Sequence, residues 1–169
     1  MKKVFLSLAL SLMSICSFSQ VKVSFDYPDV EVQFKRCVLK GNIAYLDFLM
    51  TNNTKEEIIA RPRDSYGNDH LSAYDDEGNV YLYELCSDSP KIWIQSFAGK
   101  TINSISFSAV DIIVPVGIPV KGRIQIFDVD EFSTLFNLVK IPFWPFYGKS
   151  QNKNNSATIQ FKNVPIIRQ

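Results

Sequence analysis

Apolar and polar side chains alternate along residues 30–35. Val30, Val32 and Phe34 take one phase, and Glu31, Gln33 and Lys35 take the other. A period of two is what a β-strand with one face on a core requires. Residues 43–51 repeat the pattern over a longer run. Ala44, Leu46, Phe48 and Met50 share one face, and Tyr45, Asp47 and Thr51 the opposite one. Between the two runs, Lys40-Gly41-Asn42 has hairpin chemistry, because Gly and Asn tolerate positive φ. Further strands are predicted over 58–60, 71–74, 80–85, 91–97, 102–114, 120–127, 139–142 and 157–164. Asp75-Asp76-Glu77-Gly78-Asn79 and Gly99-Lys100 mark turns between them. Pro115-Val116-Gly117-Ile118-Pro119 reads as a turn or edge, since each Pro removes a ladder donor. A turn of helix is expected around 132–135, and a mobile Lys/Asn/Ser/Gln-rich loop near 148–156.

Many short strands at hairpin spacing, rich in β-branched and aromatic residues, predict an all-β fold. The expected architecture is an immunoglobulin-like sandwich of about seven to nine antiparallel strands. Long helical periodicity and internal repeats are absent.

The first nineteen residues break this pattern. Lys2 and Lys3 precede an apolar run from Val4 to Ile15, followed by Ser17-Phe18-Ser19. A basic start, a short apolar middle and small residues at the −3 and −1 positions are expected of a secretory signal peptide, here residues 1–19. The apolar run is shorter than the ~20 residues of a membrane span, and no later run is long enough, so no transmembrane segment is expected. Cleavage after Ser19 would leave one sandwich domain, 20–169, about the usual size of a single domain. Lipid attachment at Cys16 is the alternative, disfavoured because branched Ile15 precedes the cysteine where a small residue is needed. Either route places the protein in the periplasm or outside a bacterial cell.

Loss of Lys2 and Lys3 takes the bases from 18 to 16 against 17 acids, a net charge of −1. That balance gives no long-range pull toward phosphate backbones, so nucleic acid is not an expected partner. The charges are unevenly spread, however. Seven acids and no base lie between Asp64 and Pro90, and five bases and no acid lie from Phe132 onward. Of the three cysteines, Cys37 and Cys86 remain after cleavage and are the candidate disulfide. Such a bridge would contribute about 4 kcal/mol in the chain-entropy model. Cys37 sits two residues after Lys35, on the polar phase, which predicts some exposure.

Three motifs occur in a particular order. Met50-Thr51-Asn52-Asn53-Thr54 ends a strand, and Tyr74 to Tyr81 carry a D-x-x-G hairpin. A Pro-Val-Gly segment then precedes the alternating strand Val120 to Phe127. This layout resembles the immunoglobulin-like domains of bacterial secreted proteins related to the immunoprotective extracellular antigens. The resemblance covers roughly residues 30–142 and implies a sandwich fold and an extracellular role. It carries no catalytic residue onto this chain.

No catalytic or cofactor motif stands out. His70, the only histidine, lies near Asp64, Ser65 and Asp69, but nothing marks a nucleophile elbow or an oxyanion hole. Cys37, Cys86 and His70 are too few for a common zinc site. The carboxylates of Asp75-Asp76-Glu77-Gly78-Asn79, and those of Asp128, Asp130 and Glu131, invite a calcium reading. The turn needs no ion, and no metal or cofactor is expected. The most distinctive segment is Pro142-Phe143-Trp144-Pro145-Phe146-Tyr147-Gly148. Phe143, Trp144, Phe146 and Tyr147 are the candidate binding residues, as rings that stack on sugars or anchor a partner. The bland reading has the same rings plugging one end of the sandwich. Trp93, between Ile92 and Ile94, fits either face.

The expected function is a non-enzymatic, exported interaction module that binds a protein or cell-envelope component. The alternative is a carbohydrate-binding module with Trp144 as platform, and a small secreted hydrolase ranks last.

Overall fold

The computed structural model describes residues 20–63, 65–66, 69–83, 90–102, 111–148 and 155–169. Two sheets pack face to face. In the first, the order is β1 (Lys22–Phe25), β14 (Ala157–Pro165), β13 (Leu135–Gly148), β4 (Ile58–Pro62) and β11 (Ile112–Val114). β7 (Ser72–Asp75) pairs with the early part of β13 and carries β8 (Val80–Leu82). The second sheet runs β10 (Lys100–Thr101), β9 (Ile92–Phe97), β12 (Val120–Ile126), β3 (Ile43–Asn52), β2 (Val30–Lys40) and β15 (Ile167–Arg168). A two-stranded hairpin, β5 (Ser65–Tyr66) and β6 (Asp69–His70), forms its own small sheet beside β13. The fold is an all-β sandwich of thirteen strands in two sheets, of which the seven longest form the frame that alternation predicts. The others have two to four residues: β7, β8 and β11 fall within the strands expected over 71–74, 80–85 and 102–114, while β1, β10 and β15 are too short for period two to reveal.

Apolar phases meet between the sheets. Ala44, Leu46, Phe48 and Met50 are fully buried, as their phase predicts. Rings cross the interface: Phe48 lies 5.7 Å from Phe161, Phe34 lies 6.3 Å from Phe161, and Phe97 lies 5.7 Å from Phe143. The two-residue hairpin predicted at Gly41 is present, with Gly41 at φ 60° and Lys40 paired to Ile43.

Three expectations need correction. Among the described residues no helix is found, least of all one long and apolar enough to cross a membrane. At 130–133 the chain turns instead: Asp130 Oδ1 accepts from Phe132 N (2.8 Å), and Asp130 O accepts from Ser133 N (3.2 Å). Asp side chains offer the backbone this alternative to helix. Second, the predicted strand 139–142 is the middle of a fourteen-residue strand that passes through Pro142 and Pro145. Its partner shifts from Pro62 at Phe143 to Ala60 at Phe146, one residue more on β13 than on β4. Such a bulge is where a sheet accepts proline. Third, Cys37 is fully buried. A register shift between Phe34 and Arg36 inserts Lys35 as an extra residue, so the inward phase passes from Phe34 to Cys37 and Leu39.

Cys37 is a free thiol, and Cys86 lies outside the described residues. Burial, followed by the charge of Asp47, pushes the Cys37 thiol up to about 12. Thiolate is the reactive form. Cys37 is therefore expected to resist a thiol-specific chromogenic reagent in the native protein and to react within seconds in denaturant. Rapid native labelling at Cys37, read by peptide mapping, would contradict this placement. Of the 148–156 loop, Gly148 ends β13, and residues 149–154 lie outside the described residues.

Candidate functional site

The aromatic segment divides along the strand. Phe143 and Phe146 are 1% and 0% exposed and pack on Phe25, Tyr27 and Phe97. They plug the sandwich and present nothing to a ligand, which removes both from the candidate binding set. Trp144 and Tyr147, on the other phase, are half-buried. The Arg63 guanidinium covers the Trp144 ring at 4.9 Å, and its Nε donates to Trp144 O (3.0 Å). A cation already seated on that face competes with any sugar ring for it.

The other candidates also resolve into placements. Ser65 and His70 stand opposite each other in the β5–β6 hairpin, and His70 is exposed. Asp64 lies outside the described residues. Asp75 is 2% exposed, and its carboxylate accepts from Glu77 N (3.1 Å), Asn79 N (2.7 Å), Asn79 Nδ2 (2.9 Å), Tyr81 Oη (2.8 Å) and Ser133 Oγ. Asp76 accepts from Thr134 N, Thr134 Oγ1 and Leu135 N. The lone pairs that a calcium ion would require are occupied by protein donors, so this turn is a structural bolt. Asp128 pairs with Lys91 and accepts from Asn42 Nδ2, and Asp130 caps its own turn. Among the described residues no group of three or more metal-ligating side chains forms.

The side chains that do converge lie on the outer face of the second sheet. Register aligns Val38, Tyr45, Gln125 and Trp93 in one row across β2, β3, β12 and β9. Arg36, Asp47, Arg123 and Ser96 form the next. Asp47 sits between the two arginines. Arg36 Nε donates to Oδ2 at 2.8 Å, while Arg123 donates from Nε to Oδ1 at 2.5 Å and from Nη2 to Oδ2 at 2.9 Å. Burial pushes the Asp47 carboxyl up, but hydrogen bonds from Arg123 and Arg36 outweigh it and hold the group below the ordinary range. A bidentate guanidinium pair of this kind is geometrically specific.

Both ends of the charged row carry a bulge. On β2 the extra residue is Lys35, and on β9 it is Gln95, between Ile94 and Ser96. The first bulge turns two consecutive cations, Lys35 and Arg36, onto one stretch of surface. Bulges re-aim side chains in this way beside functional sites. Two shallow depressions of about 240 and 460 Å³ share Arg36, Asp47 and Arg123 in their walls. Lys40 and Gln169 join the first, and Lys35 and Lys121 join the second, so five cations and one acidic side chain, Asp47, line the two. Lys35, Lys40 and Lys121 form no ion pair among the described residues.

Trp93 lies on this outer face, half-buried, with its ring edge-on to Phe127 at 4.6 Å and its Nε1 donating to Gln125 Oε1. The Arg123 guanidinium stands 5.9 Å from the Tyr45 ring. Sequence alternation puts Tyr45, Asp47, Arg123 and Gln125 on outward phases, but not on adjacent strands. An acid in the middle of Leu46-Asp47-Phe48-Leu49 was the one available signal, because a charge there needs a partner. No protein-family model matches this chain, and no curated protein matches it significantly.

Proposed function

We propose that this chain is an exported, non-enzymatic interaction module. Its contact surface is the outer face of the β9–β12–β3–β2 sheet, and its partner is a protein or cell-envelope component with clustered negative charge. One observation carries the reading: five cations and one acidic side chain, Asp47, line two adjoining depressions of a chain whose overall charge is close to neutral. A local field of one sign steers and orients an oppositely charged partner even when net charge does not. The sequence signals for export and the immunoglobulin-like resemblance support the same role. The reading with Trp144 as a sugar platform has less behind it, because two of its four rings are core and Arg63 occupies the third.

Charge reversal tests the proposal. The double variant Lys35→Glu, Lys121→Glu changes two exposed side chains and leaves the core untouched. Retention of an isolated envelope fraction on the immobilised protein should fall on the order of tenfold. Binding by the unaltered protein should also weaken steeply with salt. Retention that is indifferent to both reversal and salt would overturn the reading.

A further inference from the structure

Resting on that reading, we propose that the ligand is an acidic polysaccharide. Its sugar rings would lie across the Tyr45–Gln125–Trp93 row, and its carboxylate or sulfate groups would sit on Arg36 and Arg123. The geometry separates the two tasks. Neighbouring strands lie about 4.8 Å apart, so Tyr45 and Trp93, two strands apart, bracket about 10 Å of sheet. That span matches a short run of sugar rings. Successive outward residues on one strand are about 7 Å apart. The arginine row therefore runs alongside the aromatic row, one residue pair away, as a chain with a charged group on its sugars would need.

The chemistry of each row agrees with its task. Aromatic faces with a polar tip accept sugar C–H surfaces while remaining wet at the edge, and Arg123 stands 5.9 Å from the Tyr45 ring, farther than the 4.9 Å of Arg63 over Trp144. Gln125, held by Trp93 through its carbonyl, has no partner for its amide N–H groups among the described residues. Gln95, the extra residue of the β9 bulge, has a buried side-chain carbonyl with no partner among the described residues. Buried acceptors left open in this way are rare in folded proteins. The Gln125 amide, between Tyr45 and Trp93 in the register, suits a sugar hydroxyl better than an acidic peptide, and the Gln95 acceptor lies at the bulge that ends the arginine row. Asp47 uses only part of the donor set of each arginine: one nitrogen of Arg36 and two of Arg123. The remaining N–H groups of guanidiniums already fixed in orientation can bind an oxyanion with little further loss of freedom. Asp47 is thus a positioning residue for the two arginines.

Affinity electrophoresis of the folded protein, in gels containing alginate, dextran sulfate, neutral dextran or poly-glutamate at matched charge, tests the inference. Retardation by alginate or dextran sulfate should exceed that by poly-glutamate on the order of tenfold, with none in neutral dextran. Whichever of the two polysaccharides binds more tightly identifies the anionic group. Arg36→Gln should weaken that binding on the order of tenfold. Tyr45→Leu should weaken polysaccharide binding while leaving any residual poly-glutamate binding unchanged. The Arg36 side chain is 58% exposed, and its loss should leave the thermal midpoint in place. Equal retardation by poly-glutamate and the polysaccharides would overturn the glycan inference and leave the charged-face reading standing. No retardation by any polyanion would remove both.

Discussion

Replacing Asp75 with alanine is expected to destabilise the domain by about 3–4 kcal/mol, because it strips one acceptor from several donors at once. The Asp75 carboxylate binds two backbone N–H groups of its own turn, the Asn79 amide, and the buried hydroxyls of Tyr81 and Ser133. Tyr81 and Ser133 are 3% and 0% exposed, so water cannot replace what they lose. The contact joins elements far apart in sequence: β7 ends at Asp75, while Ser133 belongs to the segment leading into β13. Neighbouring Asp76 repeats the link through Thr134 and Leu135, and Asn137 Nδ2 donates to Asp75 O (2.9 Å). A single-domain protein of this size loses about 2–4 °C per kcal/mol, so the midpoint should fall by roughly 10 °C. Urea denaturation at neutral pH provides the measurement. A loss below about 1 kcal/mol would mean that the turn does not bolt the two segments together.

The same carboxylate gives stability a pH dependence of defined sign. Burial raises the Asp75 carboxyl, but hydrogen bonds from Ser133, Asn79 and Tyr81 outweigh it, and the group ends below its ordinary value. Asp76 and Asp47 are lowered as well. An unfolded aspartate titrates near 4. Above that pH all three are ionised in both states, and their contribution is fully present. As pH falls past about 4 the unfolded chain takes up protons that the native carboxylates still refuse, and stability drains away through their depressed native values. Asp75→Asn should start lower at pH 7 and fall less steeply between about pH 4 and pH 3. Parallel curves for the two proteins would assign the acid sensitivity elsewhere.

How much of this could be read from the chain depends on what alternation can carry. The Ile43–Asn52 strand has no interruption, and every inward residue assigned from period two is buried. Cys37 fails because one inserted residue, Lys35, reverses the phase after Phe34, and a bulge leaves no mark in residue type. Phe143 and Phe146 stand three apart yet share the core, again through a bulge, so of the two readings open for the four rings the plug describes these two, while Trp144 and Tyr147 stay half-buried. The candidate face was half legible. Tyr45, Asp47, Arg123 and Gln125 have outward phases in the sequence, but the pairing of β3 with β12 is a long-range choice. It is made by how the Phe-rich inner faces fit together, and strand-by-strand reading does not reach it. Trp93 fitted either face because its neighbours are apolar on both sides, and its hydrogen bond to Gln125 across the sheet marks the outer one.

The inner fit can be tested where it is tightest. Gly122, on β12, lies between Phe48 on β3 and Phe97 on β9 in the register. A Cβ placed on Gly122 would stand 2.1 Å from Phe48 Cζ and 2.4 and 2.7 Å from the two Cε atoms. The ring cannot swing aside. Phe48 is 1% exposed, stacked on Phe97 with centroids 6.0 Å apart and tilted on Phe161 at 5.7 Å. Gly122→Ala is therefore expected to cost about 3 kcal/mol by overpacking, at the upper end for one added methyl group. Phe48→Leu should cost about 1–2 kcal/mol on its own, through lost contacts. Combined, the two should be less harmful than their sum by on the order of 1–2 kcal/mol, since the smaller side chain vacates the space that the methyl group needs. Urea midpoints of the four proteins give that coupling directly, and strict additivity would show that the glycine is not there for the ring. Function follows from the same position. Gly122 is flanked by Lys121 and Arg123, whose side chains belong to the outer face. A backbone pushed outward to relieve the clash would shift both cations relative to Asp47. Polyanion binding should then weaken in Gly122→Ala at temperatures where the protein is still folded, and recover in the double variant.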